Sequence, residues 1–286
     1  MDFGPLVSIG MPVFNMATSI RRTVVSIQAQ TYHNWELIVV GDGTTDHTFD
    51  IIRELDDERI RIIEHSENLG QSLRANETID LARGAFYARM DGDDIAYPQR
   101  LERQMHYLEM HPEVDLLGAL MVVFDEQGRV LGKRSAPEGH ELICRKPLSG
   151  FRLPQPTFMG RLEWFRANRY NPSAWRAEDW ELLYRTHRTS RFANIQEVLL
   201  GYFEPKVSMR KSRSYRSWHA RLILEECRRA GIWLPGLRVC GAEVLKGGVD
   251  MVAVASGLHL RMLPHRAGPI SDQERREWAE VWKSVT

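Results

Sequence analysis

The chain has 286 residues, 43% of them apolar and 27% charged, which supplies a full-sized core and excludes disordered and fibrous classes. Thirty-eight Lys and Arg balance thirty-eight Asp and Glu, so the formal net charge is zero and no global basic surplus marks a nucleic-acid binder. The three cysteines, Cys144, Cys227 and Cys240, lie far apart with no CxxC pair, which argues against a disulfide scaffold or a zinc knuckle and for a reducing, cytoplasmic setting.

Residues 6–12 read as a buried strand and not as a signal peptide, because Asp2 precedes them instead of basic residues. Ile20, Val24 and Ile27 fall on one face of a following helix, which Thr18 or Ser19 can cap. A strand over 35–40 leads through the turn Gly41-Asp42-Gly43-Thr44-Thr45-Asp46 into a second helix through Ile51, Ile52 and Leu55, capped by Thr45 or Asp46. A strand over 59–64 comes next, then a helix that opens after Asn68-Leu69-Gly70 and closes near Gly84 in a left-handed C-cap. A strand over 85–90 completes an alternation of parallel βαβ units.

After Asp91-Gly92-Asp93-Asp94 the alternation loosens. A helix runs from Pro98 to about His111, a strand covers 114–124, and a hairpin turn occupies 124–129. Prolines break residues 147–156, and short helices are expected over 161–167 and 178–185. The stretch from Lys206 to Arg229 holds eight basic residues against Glu225 and Glu226, and marks a boundary. The apolar run 251–260 is shorter than the roughly 20 residues that span a bilayer.

In an open α/β sheet the ligand binds beyond the carboxyl ends of the strands. Those positions hold Pro12 to Asn15, Gly41 to Asp46, Asn68 and Asp91 to Asp94, and none carries GxGxxG or GxxxxGK[ST], which argues against a dinucleotide dehydrogenase or a Walker nucleotidase. Asp91 and Asp93, two apart at a strand end, offer hard oxygens on one side that suit Mg²⁺ or Mn²⁺ bridging a diphosphate. The plain alternative is a solvated Asp/Gly turn. Glu178-Asp179 is a second acidic site, where a carboxylate could take the proton from an attacking hydroxyl; its plain alternative is favourable placement in a helix's first turn. Six aromatics between Trp164 and Tyr184 suit sugar faces, with ordinary core packing the competing account for at least half.

Six motifs in order, over residues 7–185, resemble the glycosyltransferase family 2 type of GT-A enzyme. They are the run 7–15 with the helix end 26–32, the run 36–46, Asn68-Leu69-Gly70, Arg74-Ala75-Asn76 with Ala82-Arg83-Gly84, the cluster 91–94, and the run 177–182. The resemblance implies an α/β fold: a doubly wound mixed sheet of GT-A (Rossmann-like) type with a mostly helical C-terminal extension. Residues 1–97 would form the nucleotide-sugar half, 98–205 the acceptor half and 206–286 the extension. It implies direct displacement with inversion, from a nucleotide diphosphate sugar to a hydroxyl of a glycan or lipid-linked glycan.

By the same resemblance Pro12, Phe14 and Asp42 line the base and ribose pocket, with Asn15 and Asn68 among the substrate-binding residues and Arg74 near the base or diphosphate. Asp91 meets the ribose or the metal's water, Asp93 ligates Mn²⁺ or Mg²⁺ with Asp91, and Asp179 is the general base with Glu178 beside it. Phe14 stands where the family usually has tyrosine and Gly41 where it has aspartate, which leaves uridine, thymidine and guanosine donors open. Phe203 follows Tyr202 where many relatives have arginine, so Arg210 and Lys211 become the candidates for quieting the leaving diphosphate. A sugar-phosphate nucleotidyltransferase would want a basic glycine-rich loop where Pro12 to Asn15 stand. A non-catalytic sugar-nucleotide-binding or assembly subunit would not need both acidic sites. The basic stretch allows three readings: peripheral contact with the anionic inner face of a membrane, a lid, or a solvated helix. Residues 239–264 offer an apolar surface or a homodimer contact.

Overall fold

A computed structural model describes residues 4–174, 176–204, 220–225, 227–228, 237–242 and 268–286. Arg210 and Lys211, Trp175, most of the basic stretch and the apolar run 251–260 lie outside the described residues. The elements are β1 (Val7–Val13), α1 (Ile20–Gln28), β2 (Trp35–Gly41), α2 (Thr48–Arg53), β3 (Ile60–Ile63), α3 (Gln71–Leu81), β4 (Phe86–Arg89), β5 (Ile95–Ala96), α4 (Arg100–Met110), β6 (Leu116–Phe124), β7 (Val130–Arg134), α5 (His140–Ile143), β8 (Met159–Arg161), α6 (Leu162–Ala167), α7 (Glu178–Thr186) and β9 (Phe192–Phe203), followed by a C-terminal helix, Asp272–Val285.

The strands form one sheet in the order β3-β2-β1-β4-β8-β6-β9-β5, with β7 hung on β6. Strands β3, β2, β1 and β4 run parallel, which is the expected βαβ half. Strand β8 lies antiparallel between β4 and β6, so the sheet is mixed. Every residue of β1 and β2 is buried, as a parallel strand covered on both faces requires. Val7, Ile9, Met11 and Val13 face Val24, Ile27, Ile52 and Met105 of α1, α2 and α4. On the other face Ile38 and Val40 pack with Ile79 of α3, Phe165 of α6 and Leu183 of α7. The sheet is doubly wound.

Three local expectations are corrected by tertiary contacts. Ser19 does occupy the N-cap position of α1, but its hydroxyl makes no cap bond and donates to the Gly92 carbonyl at 3.0 Å. Gly84 is not a left-handed cap: α3 ends at Leu81 with Ala82 extended, and a Cβ at Gly84 would lie 2.4 Å from the Leu6 carbonyl oxygen, so the glycine admits the neighbouring strand. Strand β4 stops at Arg89, so Asp91 to Asp94 form a turn and strand alternation does not govern their directions. The second helix starts at Thr48 with His47, and not Thr45 or Asp46, at its N-cap position; His47 makes no cap bond, and the Asp46 carboxylate one residue earlier accepts from the Thr48 N–H at 3.1 Å.

The C-terminal helix, expected only as part of a mostly helical tail, packs against the sheet. Ser271 and Glu274 form a reciprocal capping box, and Trp278, Val281 and Val285 bury against Phe124, Val122 and Tyr97. The Trp278 indole donates to the Gly128 carbonyl at 2.7 Å, and a Cβ on Gly201 would meet its ring at 2.2 Å.

Candidate active site

The first group of site residues gathers where β1 and β2 end. Pro12 is buried in β1, while Phe14 just beyond it is 45% exposed. Asn15 takes a positive φ of 53°, and its side-chain oxygen accepts from the Thr45 N–H at 2.9 Å, tying the two strand ends together. Asp42 is buried and accepts from the Leu69 and Gly70 N–H groups at 2.7 and 2.9 Å and from Arg74 Nε at 3.1 Å. Gly43 needs φ +75° and a Cβ-free approach to the Asn68 nitrogen, 2.8 Å from where a Cβ would stand. Asn68 is therefore drawn beside Asp42 and stays exposed. The Gly41 departure also has a packing reason, since a side chain there would collide with the Phe49 ring.

Arg74 is buried, and its remaining guanidinium nitrogens bond Glu77 and the Glu67 carbonyl. Its contacts make it the clamp that orients Asp42 and the 67–70 loop.

The acidic turn rests on buried cations that the sequence reading missed. Arg89 is 1% exposed and donates to the Met90 carbonyl at 3.0 Å and to Asp91 Oδ1 at 2.6 Å. Arg100, equally buried, donates to the Arg89 and Pro156 carbonyls, and its burial lowers it to about 10. Asp94 is fully buried; burial, with Asp93 and Asp91 beside it, pushes its carboxyl well up, and it accepts from the Phe203 N–H at 2.9 Å. Ser19 and Thr23 of α1 hold the Gly92 carbonyl from the other side. An arginine in the otherwise apolar β4 is the sequence signal for this platform.

Asp91 and Asp179 line the same cleft, with a volume of about 460 Å³. Gln71, the first residue of α3, donates to Asp91 at 3.3 Å and links this cleft to the Asp42 group. Arg134, Arg152, Gln155 and Tyr202 complete its polar wall, and none of these four was assigned a role from sequence. Asp179 sits in the first turn of α7 and accepts from the Trp180 N–H at 2.7 Å; burial raises its carboxyl above the ordinary value. Burial and then the Asp179 charge push Glu178 up to about 7, against a pull from Arg89. Asp93 and Glu178 stand beside this cleft in sequence and are not among its lining residues.

Of the aromatics between residues 164 and 184, Trp164, Phe165, Tyr170 and Trp180 are buried, so most of that cluster is core. Among the described residues no three His, Cys, Asp or Glu side chains gather into a metal cage. Asp91 and Asp93 carry the hard oxygens that suit an ion taking one or two carboxylates and filling its shell with phosphates and water, and Asp91 Oδ1 already accepts from Arg89. No helix of the described residues is long and apolar enough to cross a membrane.

Residues 8–189 match the model of glycosyl transferase family 2. The putative glycosyltransferase EpsE of Bacillus subtilis is 33% identical over 238 residues, covering 80% of this chain and 84% of that protein. The Escherichia coli protein WfaP, named a UDP-Glc:α-D-GlcNAc-diphosphoundecaprenol β-1,3-glucosyltransferase, is 36% identical over 36% of this chain and 41% of its own. Among solved structures, S. aureus TarS 1–349 with UDP-GlcNAc superposes with a TM-score of 0.62 at 17% identity, covering 99% of this chain and 82% of that one. The Pyrobaculum calidifontis mannosyltransferase PcManGT with GDP-Man and Mn²⁺ gives 0.60 at 16% identity, over 99% and 86%. With the family model spanning more than half of its length, the chain belongs to glycosyl transferase family 2 and is a glycosyltransferase of GT-A fold.

Proposed function

We propose that the chain transfers a sugar, with inversion, from a nucleotide diphosphate sugar to a hydroxyl of a glycan or lipid-linked glycan. The observation that carries this reading is the shared cleft: Asp91 from the end of the parallel half and Asp179 from the start of α7 face one cavity. An inverting displacement needs this pairing of a donor-side acidic turn with a base on the acceptor side. In the proposed reaction the acceptor oxygen attacks the anomeric carbon while Asp179 takes its proton. The bond from that carbon to the diphosphate oxygen breaks, and its electron pair leaves with the nucleoside diphosphate. The elevated Asp179 carboxyl is the stronger base for its burial, and Glu178, part-protonated near neutrality, keeps a second full charge from crowding it.

Asp91 and Asp93 would hold Mn²⁺ or Mg²⁺, which supplies Lewis-acid stabilisation of the diphosphate. The Asp42 and Asn68 loops, tied together through Arg74, would form the base and ribose side with the exposed Phe14 ring. The names of WfaP and of the ligand-bound TarS and PcManGT structures support the donor class and, for WfaP, a lipid-linked acceptor. The basic stretch 206–229 would bring the chain to an anionic membrane where such acceptors lie.

A thermal-shift panel of UDP, GDP, dTDP, CDP and ADP with and without Mn²⁺ tests the donor site, because a ligand that binds only the folded state raises the melting temperature. One nucleotide should stabilise the protein in a metal-dependent way, and Asp93→Asn should lose that response. A flat response to all five would contradict the reading.

A further inference from the structure

A cleft walled by Asp91 and Asp179 repels a diphosphate unless cations face it. Besides the ion proposed at Asp91 and Asp93, its lining holds Arg134 and the exposed Arg152, whose guanidinium donates, among the described residues, only to the Ser135 carbonyl at 3.4 Å, while the other arginines nearby are committed. Arg89 and Arg100 are buried on carbonyls, Asp91 and Gln104, while Arg74 is spent on Asp42, Glu77 and the Glu67 carbonyl. Arg134 differs from all three. It is the last residue of β7, it lines the cleft, and it is 38% exposed in its side chain. Its guanidinium lies over the half-buried Tyr202 ring at 4.7 Å, and one terminal nitrogen reaches both Glu204 oxygens at 3.1 Å.

That arrangement presets the side chain without using it up. The aromatic face holds the guanidinium over Tyr202, and a single terminal nitrogen, Nη2, makes the Glu204 contacts. The Glu204 pair is partly solvated, so it holds the arginine weakly and can yield to a stronger anion. Glu204 and Tyr202 are themselves fastened: the Glu204 N–H bonds the Phe124 carbonyl, and Asp94 accepts from the Phe203 N–H between them. The end of β9, against which Arg134 of β7 rests, is thereby tied to the acidic turn. Tyr202, the ring under Arg134, lines the same cleft as Asp91.

We propose that Arg134 binds the diphosphate of the nucleotide sugar and meets the charge that builds on it as the sugar leaves. The proposal rests on the donor reading above. In the transfer the arginine keeps its proton: the diphosphate oxygen receives the electron pair of the broken bond, and Arg134 donates charge-assisted hydrogen bonds to the oxygens that share it. Releasing Glu204 as the diphosphate enters exchanges one anion for another of higher charge.

The test is titration of the full chain, in Mn²⁺, with UDP, GDP, uridine, guanosine and inorganic pyrophosphate, on the wild type and three variants. Arg134→Met should weaken the bound diphosphate by about tenfold or more and leave the matching nucleoside unchanged, because a charge-assisted contact is lost while the base pocket is untouched. Arg134→Lys, which keeps the charge and loses the fork, should fall between. Glu204→Gln removes the competing anion and should tighten diphosphate binding about two- to fivefold. This last variant keeps the test decisive if Arg134→Met fails to fold. Diphosphate affinities unchanged within about twofold in these variants, or equal weakening of nucleoside and diphosphate, would overturn the assignment. If the wild type bound none of UDP, GDP or pyrophosphate, the donor reading itself would fall and Arg134 with it; binding unchanged by the variants would sink Arg134 alone.

Discussion

At the scale of single residues, the acidic pair at the start of α7 is set by burial. Glu178 titrates near 7 because desolvation and the Asp179 charge both oppose its ionised form. A carboxyl whose folded value is raised contributes stability that is full below its ordinary value and is lost as pH rises through the folded value. Glu178→Gln mimics the protonated form, so it should match the wild type at pH 5 and exceed it at pH 8 by roughly 1 to 3 kcal/mol, read by urea unfolding at both values. Equal stability at pH 8 would mean that Glu178 is not desolvated. The identity of this pair was legible in the sequence, since a Glu-Asp ahead of an amphipathic helix stands out. Its elevated proton affinity was not, because that depends on which side chains close over it. Arg74 teaches the same lesson: the motif named the residue, while its burial against Asp42 assigns it a clamping part that spacing alone does not show.

At the scale of elements, the parallel half was readable because each strand is an apolar run and each helix repeats its apolar face at three and four residues. The amino end of that sheet carries an ion cluster around one buried carboxylate. Glu36, 3% exposed in β2, accepts from Ser8 at 2.7 Å and pairs with Arg83 at 2.7 Å and Arg61 at 3.4 Å. Burial works against its charge, yet hydrogen bonds from Arg83 and Ser8 hold its carboxyl below the ordinary value. Its stabilisation is therefore present above the unfolded carboxyl value and is lost as pH falls through the folded one. Glu36→Gln should cost about 1 to 3 kcal/mol at pH 7, and the gap should narrow by pH 4, read by urea unfolding. Strands β8 and β9 were not legible. Strand β8 has three residues, and β9 carries exposed Gln196 and Glu197 in its middle, where its register against β6 shifts, so neither shows a clean period. Arg134 was hidden for the same reason. Its meeting with Tyr202 and Glu204 is made by the parallel pairing of β6 with β9 and the β6–β7 hairpin, which join segments far apart in the chain.

At the scale of the whole molecule, the mixed sheet brings both acidic sites to one cleft, and the C-terminal helix backs the strands that frame it. The tail's Ser271-Asp272-Gln273-Glu274 start and its apolar positions 278, 281, 282 and 285 are a readable helix, but its docking on Phe124 and Gly201 is a tertiary fact. Trp278→Ala should cost about 3 to 5 kcal/mol of unfolding free energy, because it empties a packed site and strands the Gly128 carbonyl. A loss below about 1 kcal/mol would show that the helix is not part of the cooperative core. The central claim is that this architecture divides labour between Asp93 on the donor side and Asp179 on the acceptor side. The most direct test pairs Mn²⁺-dependent UDP and GDP binding with nucleoside diphosphate release from the corresponding sugar donors, using lipid-linked glycans as acceptors, for Asp93→Asn and Asp179→Asn. Asp179→Asn should bind nucleotide like the wild type and lose about 10²- to 10⁴-fold in transfer, whereas Asp93→Asn should lose both. Near-normal transfer by Asp179→Asn would contradict the account.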